Sequence, residues 1–205
     1  FPVEITEELA KEKGLAIDMD AFRVELEQHQ ALSRAGAEKK FKGGLSDHSD
    51  MSVKYHTATH LLHISLRKVL GDHVQQKGSN ITPERLRFDF SHPAKMTDEE
   101  LKRVEDLVNA SIQRDYPVSW RELPVKEAFA KNVIGFFPER YDEVVKVYTI
   151  GDPEVAATAD ATQPTFSQEI CGGPHVERTG TMGHFKITKE EALGSGVRRI
   201  KATLE

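Results

Sequence analysis

The chain has 205 residues, 38% hydrophobic and 30% charged, which describes one ordinary globular domain with or without a helical appendage and excludes disordered, collagen-like and coiled-coil readings. No apolar run approaches the roughly 18 residues of a membrane-spanning helix, and a net charge of −5 argues against nucleic-acid binding over the whole surface while permitting a local basic patch. The single cysteine, Cys171, cannot form an internal disulfide, so a reducing, cytoplasmic setting is expected, and the opening at Phe1 without methionine or signal peptide reads as that of an excised fragment.

In chain order, Thr6 followed by Glu7, Glu8 and Leu9 signals a helix start and Gly14 a stop. Asp18 to Lys40 is a long charged amphipathic stretch with Phe22, Leu26 and His29 on its inner face. Phe41 to Asp47 gathers Gly, Ser and Asp, which reads as a linker, so residues 1–45 are expected to form a helical segment and 46–205 the main domain. Ser52 to Leu70 is helical again, with Leu61, Leu62, Leu66, Val69 and Leu70 as packing positions and Gly71 as the stop. Arg85 to Phe90 alternates polar and apolar, a half-buried strand that turns Leu86, Phe88 and Phe90 inward and Arg85, Arg87 and Asp89 outward. Thr97 opens a helix expected to run to about Tyr116, where Pro117 ends it. Further strands are expected at Val118–Leu123, Glu143–Ile150, Gly183–Thr188 and Gly196–Leu204, with a short helix around Glu127–Lys131 and a loop from Gly151 to Thr165. This order predicts an α+β fold, a largely antiparallel sheet flanked by helices and preceded by a helical segment.

Two features carry chemistry. His56 and His60 stand at i and i+4, which a helix places on one face near enough to chelate one divalent ion; His63 follows on the same face as either a third ligand or a supporting partner. Thr57 stands where a zinc protease would carry its glutamate, so that class loses its general base. More than a hundred residues later, Cys171-Gly172-Gly173-Pro174-His175 bends the backbone sharply enough to aim a thiolate and an imidazole into one space. Together these make four N/S donors, the number one tetrahedral zinc ion takes, provided the fold brings the halves together.

His56-Thr-Ala-Thr-His60-Leu-Leu-His63, Gly71-Asp-His-Val-Gln-Gln76-Lys-Gly78-Ser79, Leu86-Arg-Phe-Asp-Phe-Ser-His92, Cys171-Gly-Gly-Pro-His175 and Gly196-Val-Arg-Arg-Ile200, in this order, resemble the editing domain of the alanyl-tRNA synthetases. The helical opening is similar to the end of that family's tRNA-recognition region. The resemblance implies a deacylase that removes serine or glycine from mischarged tRNA(Ala), with the ATP-dependent ligase site in other domains of a parent synthetase and tRNA acceptor end as partner. It implies one Zn2+ held by His56, His60, Cys171 and His175, which polarises the ester carbonyl, acidifies a water or orients the substrate's amino group. Gln76 is implied as the residue handling the aminoacyl group, with Gly78 and Ser79 offering close approach to the ribose. Asp89 stands either as a carboxylate supporting a ligand imidazole or as a plain strand aspartate. Arg198, Arg199 and Lys201, with Lys39, Lys40 and Lys42 of the linker, are the candidate tRNA contacts.

Pro174 stands where many of that family carry threonine, the loop from Gly151 to Thr165 is longer than the family's shortest versions and reads either as a lid or as a merely mobile segment, and about ten residues join the helical segment to His56 where many members carry a β-barrel. Two other readings stay open: a zinc-stabilised tRNA-binding module without turnover, and a free-standing editing deacylase. The related threonine-specific synthetases carry a domain of this kind, but Arg85–His92 and Cys171–Arg178 look closer to the alanine type.

Overall fold

A computed structural model describes residues 3–37, 45, 49–135, 141–152, 165–194 and 196–205. The chain divides into two compact units, Phe1–Lys42 and Gly43–Glu205. The linker lysines Lys39, Lys40 and Lys42 fall outside the described residues, as do residues 153–164 of the loop expected after Gly151 and the side chain of His29.

The first unit contains helices α1 (Val3–Glu12) and α2 (Met19–Ala37). Asp18 caps α2, its Oδ1 accepting the Asp20 and Ala21 N–H groups at 3.1 and 2.9 Å. Phe22 and Leu26, expected on an inner face, are 40% and 41% exposed.

The second unit runs α3 (Asp50–Leu70), β1 (Gln76–Thr82), β2 (Arg85–Ser91), α4 (Asp98–Gln113), β3 (Val118–Pro124), α5 (Val125–Ala130), β4 (Val144–Gly151), β5 (Thr165–Ile170), β6 (Phe185–Gly194) and β7 (Val197–Leu204). All strand ladders are antiparallel, in a four-stranded sheet ordered β1-β2-β7-β6 and a three-stranded sheet ordered β3-β4-β5. The α+β class follows from these layers; the strands form two sheets where one was expected. α3 begins at Ser49, whose Oγ accepts the Ser52 N–H at 3.3 Å, and stops at Gly71, whose φ of 112° a side chain would resist. Thr97 and Glu100 form a reciprocal capping box on α4, which ends at Gln113, three residues before the expected stop.

The main core lies between α3, α4 and the four-stranded sheet, where Leu61, Leu62, Leu66, Val104, Val108, Phe88, Phe185 and Ile200 are fully buried. Leu86, Phe88 and Phe90 point inward as their alternation requires. A smaller cluster of Leu123, Ala128, Val145, Val147 and Ile170 seats α5 on one face of the three-stranded sheet. Two strands were not anticipated. β1 is nearly all polar and is held by its ladder to β2, while β5 has polar residues buried on both faces because it lies between β4 and α3.

Candidate functional site

Near 3.6 residues per turn, His56, His60 and His63 share the side of α3 that packs toward β5. β5 delivers Cys171 directly: the Cys171 N–H donates to the Lys146 carbonyl at 3.1 Å, after which the chain turns through Gly172 and Gly173 to His175. Gly173 has φ +65°, and a Cβ there would stand 2.2 Å from the Tyr148 hydroxyl, so both conformation and space require glycine.

The turn is fastened to α3 by hydrogen bonds. The Thr57 hydroxyl donates to the Val53 carbonyl at 3.2 Å and accepts from the Val176 N–H at 3.1 Å and from His175 Nδ1 at 3.2 Å. His56 Nδ1 donates to the Pro174 carbonyl at 2.9 Å, and His60 Nδ1 to Glu169 Oε2 at 2.8 Å. Each of the three imidazoles therefore commits its Nδ1 proton to a protein acceptor, which turns its Nε2 toward one space. There, Cys171 Sγ lies 3.3 Å from His56 Nε2 and 3.4 Å from His175 Nε2. His60 Nε2 is buried with no hydrogen-bond partner. One donor atom from each of His56, His60, Cys171 and His175 falls within 4.8 Å of the others, so this group could hold a metal ion. The fit rests on that orphaned nitrogen, on three fixed tautomers, and on a set of three nitrogens and one sulfur suited to zinc.

Electrostatics match the geometry. Burial pushes the Cys171 thiol upward, but the His60 charge and the hydrogen bonds from His175 and His56 overcome it and hold the group well below the usual thiol range. Burial lowers His60, yet Glu169 and Cys171 together raise it well above an ordinary imidazole. Glu169 is 1% exposed; burial opposes its charge, and His60 and His63 keep it ionised far into acid. His175 is pushed down to about 4, chiefly by burial, so its ring is neutral at pH 7. Metal binding at this group would displace the second proton of His60.

The other candidates lie elsewhere. His63 is 1% exposed, 3.5 Å from Glu169 Oε2 and 5.8 Å from the Phe88 ring, outside the four-donor group and against its supporting carboxylate. Gln76 opens β1, where its Nε2 donates to Ser79 Oγ at 3.2 Å; Gly78 follows a bulge in the ladder, with Asp89 3.5 Å from where its Cβ would be. Asp89 does not support an imidazole. It is 7% exposed and grips Arg199 through both carboxylate oxygens, at 2.7 and 2.9 Å, because Arg199 faces it across the β2–β7 register. Arg198 is paired with Glu190, and Lys201 with Glu191 at 3.0 Å, so all three cations of β7 already have carboxylate partners.

Sequence reasoning missed Glu169, the carboxylate that holds His60, and Thr57, which ties the turn to α3. The one available signal was period two: in an extended strand Glu169 shares a face with Cys171.

Residues 145–201, which contain Glu169, Cys171 and His175, match the model of the threonyl and alanyl tRNA synthetase second additional domain. Over all 205 residues the chain is 57% identical to an alanine–tRNA ligase of Treponema denticola, of which it spans 32%. Over 204 residues it is 52% identical to that of Borrelia hermsii, again spanning 32%, and over 148 residues, 72% of the chain, it is 51% identical to that of Thermus thermophilus, spanning 16%. The chain thus covers about a third of the length of the first two relatives. With the family model falling on the strand and turn that deliver Cys171 and His175, and the similarity extending over the whole chain, this protein belongs to the alanyl-tRNA synthetase family and carries its second additional domain.

Proposed function

We propose that the chain is an editing module that hydrolyses the ester joining serine or glycine to the terminal adenosine of tRNA(Ala). The observation that carries this reading is the convergence of three oriented imidazoles and one thiolate within 4.8 Å, beside a buried carboxylate. The need for such a site is physical. A pocket for alanine discriminates against one missing methyl by only ~1–3 kcal/mol, and cannot strongly refuse an added hydroxyl, so a second hydrolytic step must supply the remaining selectivity.

His56, His60, Cys171 and His175 are the residues that would hold a zinc ion, which when bound supplies Lewis acidity at the ester. Cys171 acts in this reading as a ligand and not as a nucleophile. Glu169 fixes the ring plane and tautomer of His60, the Pro174 carbonyl does so for His56, and the Thr57 hydroxyl for His175. Gln76 orients the aminoacyl group: its Nε2 is committed to Ser79, which directs its amide oxygen as an acceptor toward a seryl hydroxyl or an ammonium group. Arg198, Arg199 and Lys201 meet tRNA phosphates by exchanging their carboxylate partners. The ATP that a ligase consumes is used in the portion of the relatives beyond the matched third.

One observation favours a second reading, a metal-stabilised tRNA-binding module without turnover: four protein donors complete a tetrahedral shell and leave no open position. Deacylation of Ser-tRNA(Ala) and Ala-tRNA(Ala) before and after chelation, with metal content measured in parallel, separates the two. Metal-dependent loss of serine with alanine spared supports editing. One equivalent of zinc with both esters intact leaves the binding module standing.

A further inference from the structure

Trp120 is the single tryptophan of the chain, sits on the edge strand β3 of the three-stranded sheet, and is 52% exposed. This exposed indole begins a row of side chains. Trp120 stands directly opposite Tyr148 in the β3–β4 ladder, and Tyr148 opposite Glu169 in the β4–β5 ladder. Directly opposed residues share a face, so one row of side chains runs from the solvent-exposed edge to the carboxylate that holds His60.

The rings continue the row. Trp120 and Tyr148 centroids are 6.5 Å apart, Tyr148 and His175 4.3 Å, and His175 and His56 4.2 Å. Lys146, two residues before Tyr148 on the same face of β4, places its ammonium 4.3 Å from the Trp120 centroid. An aromatic face with an adjoining cation is the pairing that receives an unpaired nucleotide: the ring stacks the base and the cation meets the phosphate. Two ring-to-ring steps separate Trp120 from the His175 ring, a path that about three stacked nucleotides at roughly 3.4 Å each would span.

We infer that Trp120 and Lys146 form a docking platform for an unpaired base just upstream of the esterified terminal adenosine, with Tyr148 as the step between that base and the hydrolytic site. The inference rests on the editing reading for the identity of the occupant, and continuity of the row with the metal-ligand group selects a single-stranded 3′ end over any other partner. On docking, the Lys146 ammonium leaves the indole face, where a solvent-exposed cation–π contact is weak, and moves to the phosphate.

Because Trp120 is the single indole, its fluorescence reports the event directly. The probe is a five-nucleotide single-stranded RNA ending in CCA-3′, titrated into the full chain at low salt. Saturable quenching is expected, with a midpoint that weakens as salt rises. By anisotropy of labelled probe, Trp120→Ala should bind about tenfold more weakly, within the range that base stacking on an aromatic contributes, and Trp120→Phe should retain most of the affinity. Lys146→Gln should reduce the salt slope by about 0.7. Absence of binding, or binding that leaves the fluorescence unchanged and is equal in Trp120→Ala, overturns the inference. Hydrolysis of 3′-seryl adenosine, which has no upstream nucleotide to stack, tests the editing reading by itself. Hydrolysis without stacking removes the platform and keeps the activity; stacking without hydrolysis keeps the platform and removes the activity.

Discussion

His60 Nδ1 lies 2.8 Å from Glu169 Oε2, and both side chains are almost wholly removed from solvent. The carboxylate also accepts from Ser167 Oγ at 2.8 Å, so its charge is met from two sides. Glu169→Gln keeps the size and loses the charge that orients the ring. Zinc affinity, read by competition with a chromophoric chelator, should fall about 10- to 100-fold. Glu169→Ala should destabilise the metal-free protein by about 3–5 kcal/mol, since His60 is left buried without its partner. Wild-type zinc affinity in Glu169→Gln would exclude this role.

The same pair sets how the metal-free protein responds to pH. Glu169 is held below its unfolded value, so its contribution is present above that value of about 4.5 and is lost as pH falls through the depressed one. His175, at about 4 against 6.5 unfolded, also favours folding above 6.5 and loses that contribution between 6.5 and 4. His60 has the opposite sign: its raised value contributes below 6.5 and fades as pH rises through the folded value. Urea midpoints measured in chelator should therefore drop between pH 6.5 and 4, and His175→Gln should flatten that segment. Zinc binding at pH 7 should release a proton from His60, measurable as buffer-dependent enthalpy in calorimetry.

Gly173 sits where Tyr148 leaves no room for a Cβ. Gly173→Ala should lower stability by about 2 kcal/mol or more, adding overlap to the ~1–2 kcal/mol left-handed backbone penalty, and should displace His175 from its bond to Thr57. Tyr148→Phe in the same chain removes the hydroxyl contact but not the backbone cost, so thermal melting should recover in part. Full recovery, or none, would show that the steric account is wrong.

Asp89 and Arg199 form a two-oxygen ion pair that is mostly buried, remote in role from the metal donors. Asp89→Asn should lower stability by about 1 kcal/mol and leave the zinc stoichiometry unchanged. A loss of zinc in this variant would restore Asp89 as support for a ligand.

The helices were legible because their start and stop chemistry is local: Thr97 with Glu100, and Gly71 after Leu70, need nothing distant. β2 was legible because Leu86, Phe88 and Phe90 alternate against a one-sided core. β5 was not, because Ser167 and Glu169 are polar yet buried, and their burial depends on α3, more than a hundred residues earlier. The candidate site divides the same way. Helical spacing alone puts His56 beside His60, and the Gly-Gly-Pro turn alone brings Cys171 near His175; the acceptors that orient the rings are backbone and side-chain oxygens whose positions no spacing encodes.

The strand order β1-β2-β7-β6 has a consequence for the order of assembly. β2, whose Leu86, Phe88 and Phe90 carry much of the core, has β7 as its inner neighbour, with Phe88 opposite Ile200. A nascent chain elongated through His175 possesses every metal donor but still lacks the strand that pairs with the inner edge of β2, and contacts of such sequence separation form slowly. During synthesis the donors exist before the framework that holds them, so the inner hydrogen-bonding edge of β2 stays unpaired until β7 emerges, and an open strand edge is what makes this interval prone to aggregation.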